Sequence, residues 1–390
     1  MKTQEIALTT PSGSSLTAWL DQPAGGRPAA CALLVHCFAP GTAAEQHLSL
    51  ALTQQRFEVL RISCLSSAPL LSQELLQTAH AYLLAEQKAP ALAIGHSLGG
   101  AALLTAAPDW PALQALALLS APADDRALGS LLDEDEHDEE HAFVVYRQGA
   151  ELSLDLDLLD QWHEDQVRQR LQGLKKALLI LHSPQDREIS VDSAAALFMA
   201  SRHPKSFVSL DGADHFLSSA EDSRYAGSLI GAWAQRYVQL QPDALRTHME
   251  VVTRTPAGGF TTEIRAGKHS LLADEPLALG GLDLGPNPYD LLNAALGACT
   301  SMTLRMYADR KGWPLQEAIV HLKHDRIYGE DCQVCEDNTS KLDQLSREVE
   351  LIGPLDAAQR SRLMEIADRC PVHKTLQSKI SIETRELDTD

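Results

Sequence analysis

The stretch ALAIGHSLGGAALLTAA, Ala91 to Ala107, runs from a short aliphatic segment through a glycine-rich pentapeptide into a helix-forming segment. Inside it, Gly95-His96-Ser97-Leu98-Gly99 fits the pattern G-x-S-x-G. Two glycines flanking a serine let the chain turn sharply between strand and helix, where a bulky side chain would clash, and the turn lifts the hydroxyl above the sheet. Such pentapeptides also arise by chance. The strand before this one and the helix after it give it meaning.

Working outward, the first 240 residues alternate short aliphatic runs with amphipathic segments. The runs are Ala30 to His36, Phe57 to Ser63, Ala91 to Ser97, Leu113 to Ser120, Lys176 to Ser183 and Ser206 to Asp211. Continuous rather than alternating hydrophobicity marks strands covered on both faces. Helical stretches such as TAAEQHLSLALTQQ lie between them, so the order predicts a mostly parallel sheet with helices on both faces. IALTTPSGSSLTAWL at the start reads as an antiparallel hairpin turned at Pro11, Ser12 and Gly13.

A serine hydroxyl is a poor nucleophile without a base, and the base needs a carboxylate to orient it. Asp186 follows the strand KALLILHS and His215 follows SFVSLD. Both therefore fall at carboxyl ends of strands, the edge where open α/β sheets place their sites. The order Ser97, Asp186, His215 is the one α/β-hydrolases use, and this part of the chain resembles that family. The resemblance implies an ester, thioester or other small acyl substrate and an oxyanion hole. Leu98 supplies one donor by following the serine, and Phe38 in HCFAPG is the expected second, with Cys37 where glycine is common. Residues 124–173 break the strand pattern with charged sequence and read as a cap over the pocket.

A chain of 390 residues favours two cores. The expected division places the hydrolase-like domain at 1–241 and a second domain at 242–390. A net charge of −20 argues against nucleic acid and anionic membrane as partners, and part of it lies in DEDEHDEE, Asp133 to Glu140, which reads as a solvated insertion. No apolar run is long enough to span a membrane and the N-terminus lacks a secretory layout, so a cytoplasmic location is expected. Seven thinly spread cysteines fit free thiols rather than a disulfide scaffold.

Past Pro242 the pattern changes. MEVVTRT, GFTTEIRAG and HSLLADEP read as short strands, EAIVHLKHDRIYG, REVELIG and SKISIET as further strands, and two long helices lie among them. Blocks of strands and helices predict an α+β domain. One helix should begin at Asn287-Pro288 and end near Gly312, with Leu292, Leu296, Cys299, Thr303 and Met306 on one face. A cysteine so placed reads by itself as a buried structural residue. In LMEIADRCPVHKTL, Pro371 at a first helical position makes Cys370 the cap, where free amides lower a thiol pKa.

GPNPYDLLNAALGACTSMTLRMYA together with CPVH resembles the OsmC/Ohr family of thiol-dependent peroxide-scavenging proteins, over about Thr247 to Ile382. That resemblance implies Cys299 as the thiol that attacks an organic hydroperoxide and Cys370 as the thiol that resolves it. It further implies an external thiol or dithiol reductant, no metal or other cofactor, and a homodimer. Ohr-type members carry a glutamate where this chain has Tyr289, and Arg254, Arg265 and Arg369 are the candidate cations. Cys332 and Cys335, with His321 and His324 upstream, read as a thiol pair rather than a zinc site, because residues three apart on a strand face opposite ways. The chain as a whole then reads as a hydrolase–OsmC fusion. Two other readings are an esterase whose second domain only dimerises or binds ligand, and a binding protein with an inactive hydrolase half.

Overall fold

The computed structural model describes residues 1–25, 27–37, 43–63, 73–129, 137–138, 142–147, 150–155, 162–241, 245–328 and 341–387. Phe38, Cys332, Cys335 and most of the acidic run lie outside these residues. The chain divides into two compact units, one comprising 1–256 with 265–268 and the other 257–264 with 269–390.

The first unit is built on eight strands: β1 Lys2–Thr9, β2 Ser15–Gln22, β3 Ala30–His36, β4 Phe57–Ser63, β5 Pro90–His96, β6 Ala115–Leu119, β7 Ala177–His182 and β8 Lys205–Ser209. Their spatial order is β1-β2-β4-β3-β5-β6-β7-β8. β1 and β2 pair antiparallel, as does β2 with β4, and every later pairing is parallel. Every residue of β5, β6 and β7 is buried, which is why those segments are continuously aliphatic. β8 stands at the edge and is only half-buried. One face of the sheet packs Leu34, Ile94, Leu119 and Leu181 against the helices Ala44–Gln54 and Ala220–Ala234. The other packs Val35, Leu118 and Ile180 against the helices Leu98–Ala106, Glu164–Gly173 and Asp192–Ala200.

From β3 the chain passes to β4 on one side and returns to β5 on the other. That reversal opens a crevice at the carboxyl ends of β3 and β5, where ligands of such sheets bind. In the insertion expected to form a cap, the described elements include the helix Asp125–Gly129, an antiparallel pair Ala142–Arg147 with Ala150–Asp155, and the helix Glu164–Gly173.

The second unit centres on the helix Pro288–Lys311. Asn287 caps it in a reciprocal box with Asp290, and Gly312 ends it at φ 64°. This helix lies on the antiparallel pair Glu317–Tyr328 and Lys341–Ile352. Gly297 permits the approach, since a Cβ there would sit 2.7 Å from Leu322 Cδ1. Leu304, Ala308, Leu315, Leu355, Leu363 and Ile366 form a small core with the helix Ala357–Ala367.

Two expectations need correction. The buried row of the long helix is Leu296, Thr300, Leu304 and Ala308, while Met306 is 72% exposed. A straight row at spacing four wins over the expected stripe, so Cys299 lies at its margin, half-buried. The segment SKISIET is not a strand: Ser378 to Thr384 is exposed and has no ladder. Ile380 and Ile382 alternate as a strand would, but among the described residues no sheet edge pairs with them, and a strand exists only through its partners.

Candidate functional site

Ser97 closes the turn from β5 to the helix Leu98–Ala106 with φ 55° and ψ −123°, a strained conformation for a residue with a side chain. The glycines are obligatory here. A Cβ on Gly95 would lie 2.4 Å from Gly100 Cα, and one on Gly99 would lie 2.4 Å from the Val35 carbonyl oxygen. Leu98 supplies one of the first-turn amides that have no partner within the helix.

The structure brings Ser97, His215 and Asp186 together from three loops. His215 Nε2 lies 3.1 Å from Ser97 Oγ, and His215 Nδ1 lies 2.8 Å from Asp186 Oδ2. Asp186 collects further donors: the amides of Glu188 and Ile189 reach Oδ1 at 2.9 and 3.0 Å. His182 Nε2 lies 3.3 Å from Oδ2. Burial works to raise this carboxyl. The hydrogen bonds from His182 and His215, the His215 charge and the Ile189 amide outweigh it and hold Asp186 well below the usual carboxylate range.

The sequence also repeats a short word at its strand ends. Three parallel strands end in a histidine followed by cysteine or serine: VHC at β3, GHS at β5 and LHS at β7. All three imidazoles, His36, His96 and His182, are buried. His96 Nε2 donates to the His215 backbone carbonyl at 2.8 Å. Burial first, then the His215 charge, keeps His96 far below the ordinary imidazole value, so it is uncharged at neutral pH. Burial and Arg61 push His36 down to about 3. By the strand pleat His96 belongs to the face that carries Ile94, and His182 to the face that carries Ile180.

In the second unit Cys370 caps the helix Pro371–Gln377, as read from its proline, and its sulfur accepts from the His373 amide at 3.3 Å. Cys370 is fully buried, Cys299 half-buried, and both are free thiols. Thr300 Oγ1 stands 3.7 Å from the Cys370 sulfur and receives a hydrogen bond from Arg347 Nη1 at 2.8 Å. Arg347 also donates to the Ala367 carbonyl and pairs with Asp368 at 2.6 Å. Burial works to raise the Cys370 thiol. The His373 amide, Thr300, Cys299 and the Arg347 charge together bring it below the ordinary thiol value. The cation that acts on Cys370 is Arg347. Position 347 lies on a strand remote in sequence from both cysteines, and only the fold identifies it.

His321 pairs with Glu350, while His324 pairs with Asp343 and stacks on Tyr289 at 4.1 Å. Among the described residues no cluster of three metal-binding side chains occurs, and no helix is long and apolar enough to cross a membrane.

Comparison with known proteins fits this geometry. Over 61% of this chain and 99% of its own length, the esterase domain of a Rhodothermus marinus protein is 37% identical, with a TM-score of 0.56. Est1E from Butyrivibrio proteoclasticus, solved with ferulic acid bound, is 17% identical over 60% of this chain and 98% of its own, with a TM-score of 0.50, a likeness of fold. Residues 280–385 match the family model for OsmC-like proteins. A search of curated proteins finds no match.

Proposed function

We propose a function for each unit from one premise: the first three-fifths of the chain belongs to the α/β-hydrolase family of esterases, and an OsmC-like domain follows it.

In the first unit Ser97 is the nucleophile, His215 the general base and Asp186 the group that orients it. The observation that carries this reading is the unbroken relay from Ser97 Oγ through both His215 nitrogens to Asp186 Oδ2. As Ser97 Oγ bonds to an acyl carbon, His215 Nε2 takes its proton and the Leu98 amide faces the developing oxyanion. His215 then hands that proton to the departing alkoxide or thiolate. Water repeats the sequence in reverse, releasing the acid and restoring the serine. The class of substrate is a small ester or thioester. A serine-directed phosphonate should label Ser97 with one adduct per chain, and Ser97→Ala should lose both label and ester turnover. An unlabelled Ser97 in folded protein without ester turnover would remove this assignment and favour an inactive hydrolase half.

In the second unit Cys299, the more accessible sulfur, attacks the distal oxygen of an organic hydroperoxide, giving the alcohol and a sulfenic acid. Cys370 condenses with that sulfenic acid, releasing water and closing a disulfide that an external thiol or dithiol reduces. The lowered Cys370 pKa, to which Cys299 contributes, supports this reading. Dependence on reduced thiols suits a cytoplasmic location. One equivalent of cumene hydroperoxide should produce a Cys299–Cys370 disulfide by peptide mass mapping. Two unchanged thiols would leave the second unit as a binding or dimerisation module.

That unit also exposes Leu277, Met302 and Met306, each more than half accessible, and covering them in a homodimer follows. Light scattering at micromolar concentration should give twice the 42.4 kDa chain mass.

A further inference from the structure

His182 is the last residue of β7, fully buried on the sheet face away from His96. Its Nε2 lies 2.9 Å from the Ile189 carbonyl and 3.3 Å from Asp186 Oδ2. Both are acceptors, so the ring hydrogen sits on Nε2. Its Nδ1 is buried with no hydrogen-bond partner. An aliphatic side chain would fill the same space without orphaning a nitrogen, so packing alone does not account for a histidine here.

What the imidazole adds is a polar N–H that is given to the Ile189 carbonyl at 2.9 Å while the same nitrogen stands 3.3 Å from the carboxylate. Asp186 Oδ1 is occupied by two backbone amides and Oδ2 by His215. His182 Nε2 stands against Oδ2 at 3.3 Å and, through the Ile189 carbonyl, holds the loop that carries those amides, so the carboxylate is kept from swinging away from His215. It also ties the strand end to the far side of the loop at Ile189. We propose that His182 is a positioning residue for the Asp186–His215 pair, fixing the carboxylate from the face opposite His96 and sharing its charge. This rests on the reading of Ser97, His215 and Asp186 as the hydrolytic relay.

The charge-sharing has a sign. A carboxylate that loses this N–H keeps more charge for its remaining partner and stabilises protonated His215 more. The acid limb of kcat/KM, set by that protonation, then moves to higher pH.

The experiment compares His182→Leu, which removes the donor, with His182→Gln, which returns an N–H close to the Nε2 position, using p-nitrophenyl acetate across pH 4 to 9. In His182→Leu, kcat should fall about ten- to a hundredfold from misplacement of the base, with KM little changed. Its acid limb should rise by about half to one pH unit. His182→Gln should recover most of kcat and return the limb toward the wild-type position. Equal losses in both variants with an unmoved limb would reduce His182 to a packing residue and overturn the proposal. If His182→Leu does not fold, His182→Asn, too short to reach Oδ2, replaces it under the same criteria. Ser97→Ala run alongside separates the two claims. Full turnover in Ser97→Ala overturns the relay itself. Loss in Ser97→Ala beside unchanged kcat and limb in His182→Leu overturns this inference alone.

Discussion

Asp186→Asn tests the proposed relay most sharply, because three donors converge on this carboxylate. An amide cannot satisfy both sides. If its NH2 faces the Glu188 and Ile189 amides, two buried donor–donor contacts form at 2.9 and 3.0 Å, each costing about 1–3 kcal/mol. If its oxygen faces those amides, NH2 points at His215 Nδ1. The second arrangement wins, because His215 can avoid the conflict by moving its hydrogen to Nε2, and His182 keeps the Ile189 carbonyl. That tautomer presents a donor to Ser97 where a base is needed. The same exchange in a serine protease relay lowers kcat by about ten-thousandfold. In barrier terms this is about 5.5 kcal/mol. We expect kcat on p-nitrophenyl acetate to fall about a thousand- to ten-thousandfold, with KM within about threefold of wild type, since ester binding is untouched. A variant turning over within tenfold of wild type, with circular dichroism unchanged, would refute the assignment of Asp186.

Arg347→Met keeps the aliphatic stem but removes the charge beside Cys370, so alkylation of Cys370 at pH 7 should slow, and raising the pH should restore it; equal rates across pH in both proteins would contradict this. Acid should destabilise the first unit between about pH 6.5 and 3. His36, pushed down to about 3 in the fold, takes up its proton more readily unfolded, so stability falls as pH drops through that window, by about 1.4 kcal/mol per unit. The pH slope of urea midpoints should decrease in His36→Leu, with His96 supplying a remaining part. Asp186, held low, adds its own loss only below about pH 4, where the unfolded carboxyl protonates. Gly99→Ala should cost about 3 kcal/mol or more, because the new methyl meets the Val35 carbonyl of β3 at 2.4 Å and that backbone is fixed on both sides. Gly173→Ala, with open space around it, should instead stabilise by about 0.5–1 kcal/mol in the same denaturation assay.

The parallel strands were legible because burial on both faces forces continuous aliphatic sequence, as in ALLILH of β7. Ends of the long helix were legible because Asn287, Pro288 and Gly312 act locally. Cys370 at a cap followed from the proline after it. Other features depend on what another segment does. Nothing near Arg347 in sequence names Thr300 or Cys370, and the true buried row of the long helix is set by the hairpin beneath it. SKISIET has the alternation of a strand without the neighbour that would make it one. The histidines at 36, 96 and 182 stood in plain view as a thrice-repeated word, yet their purpose depends on which loops fold back over them.

Those three imidazoles end strands rather than occupy loops, and this ties function to melting. The final rung of the parallel sheet is also part of the floor of the site, since His96 holds the His215 carbonyl and His182 stands 3.3 Å from Asp186 Oδ2. No part of that floor can soften while the sheet stays whole, so thermal inactivation of ester cleavage should coincide with cooperative loss of the sheet, with no folded but idle species preceding it.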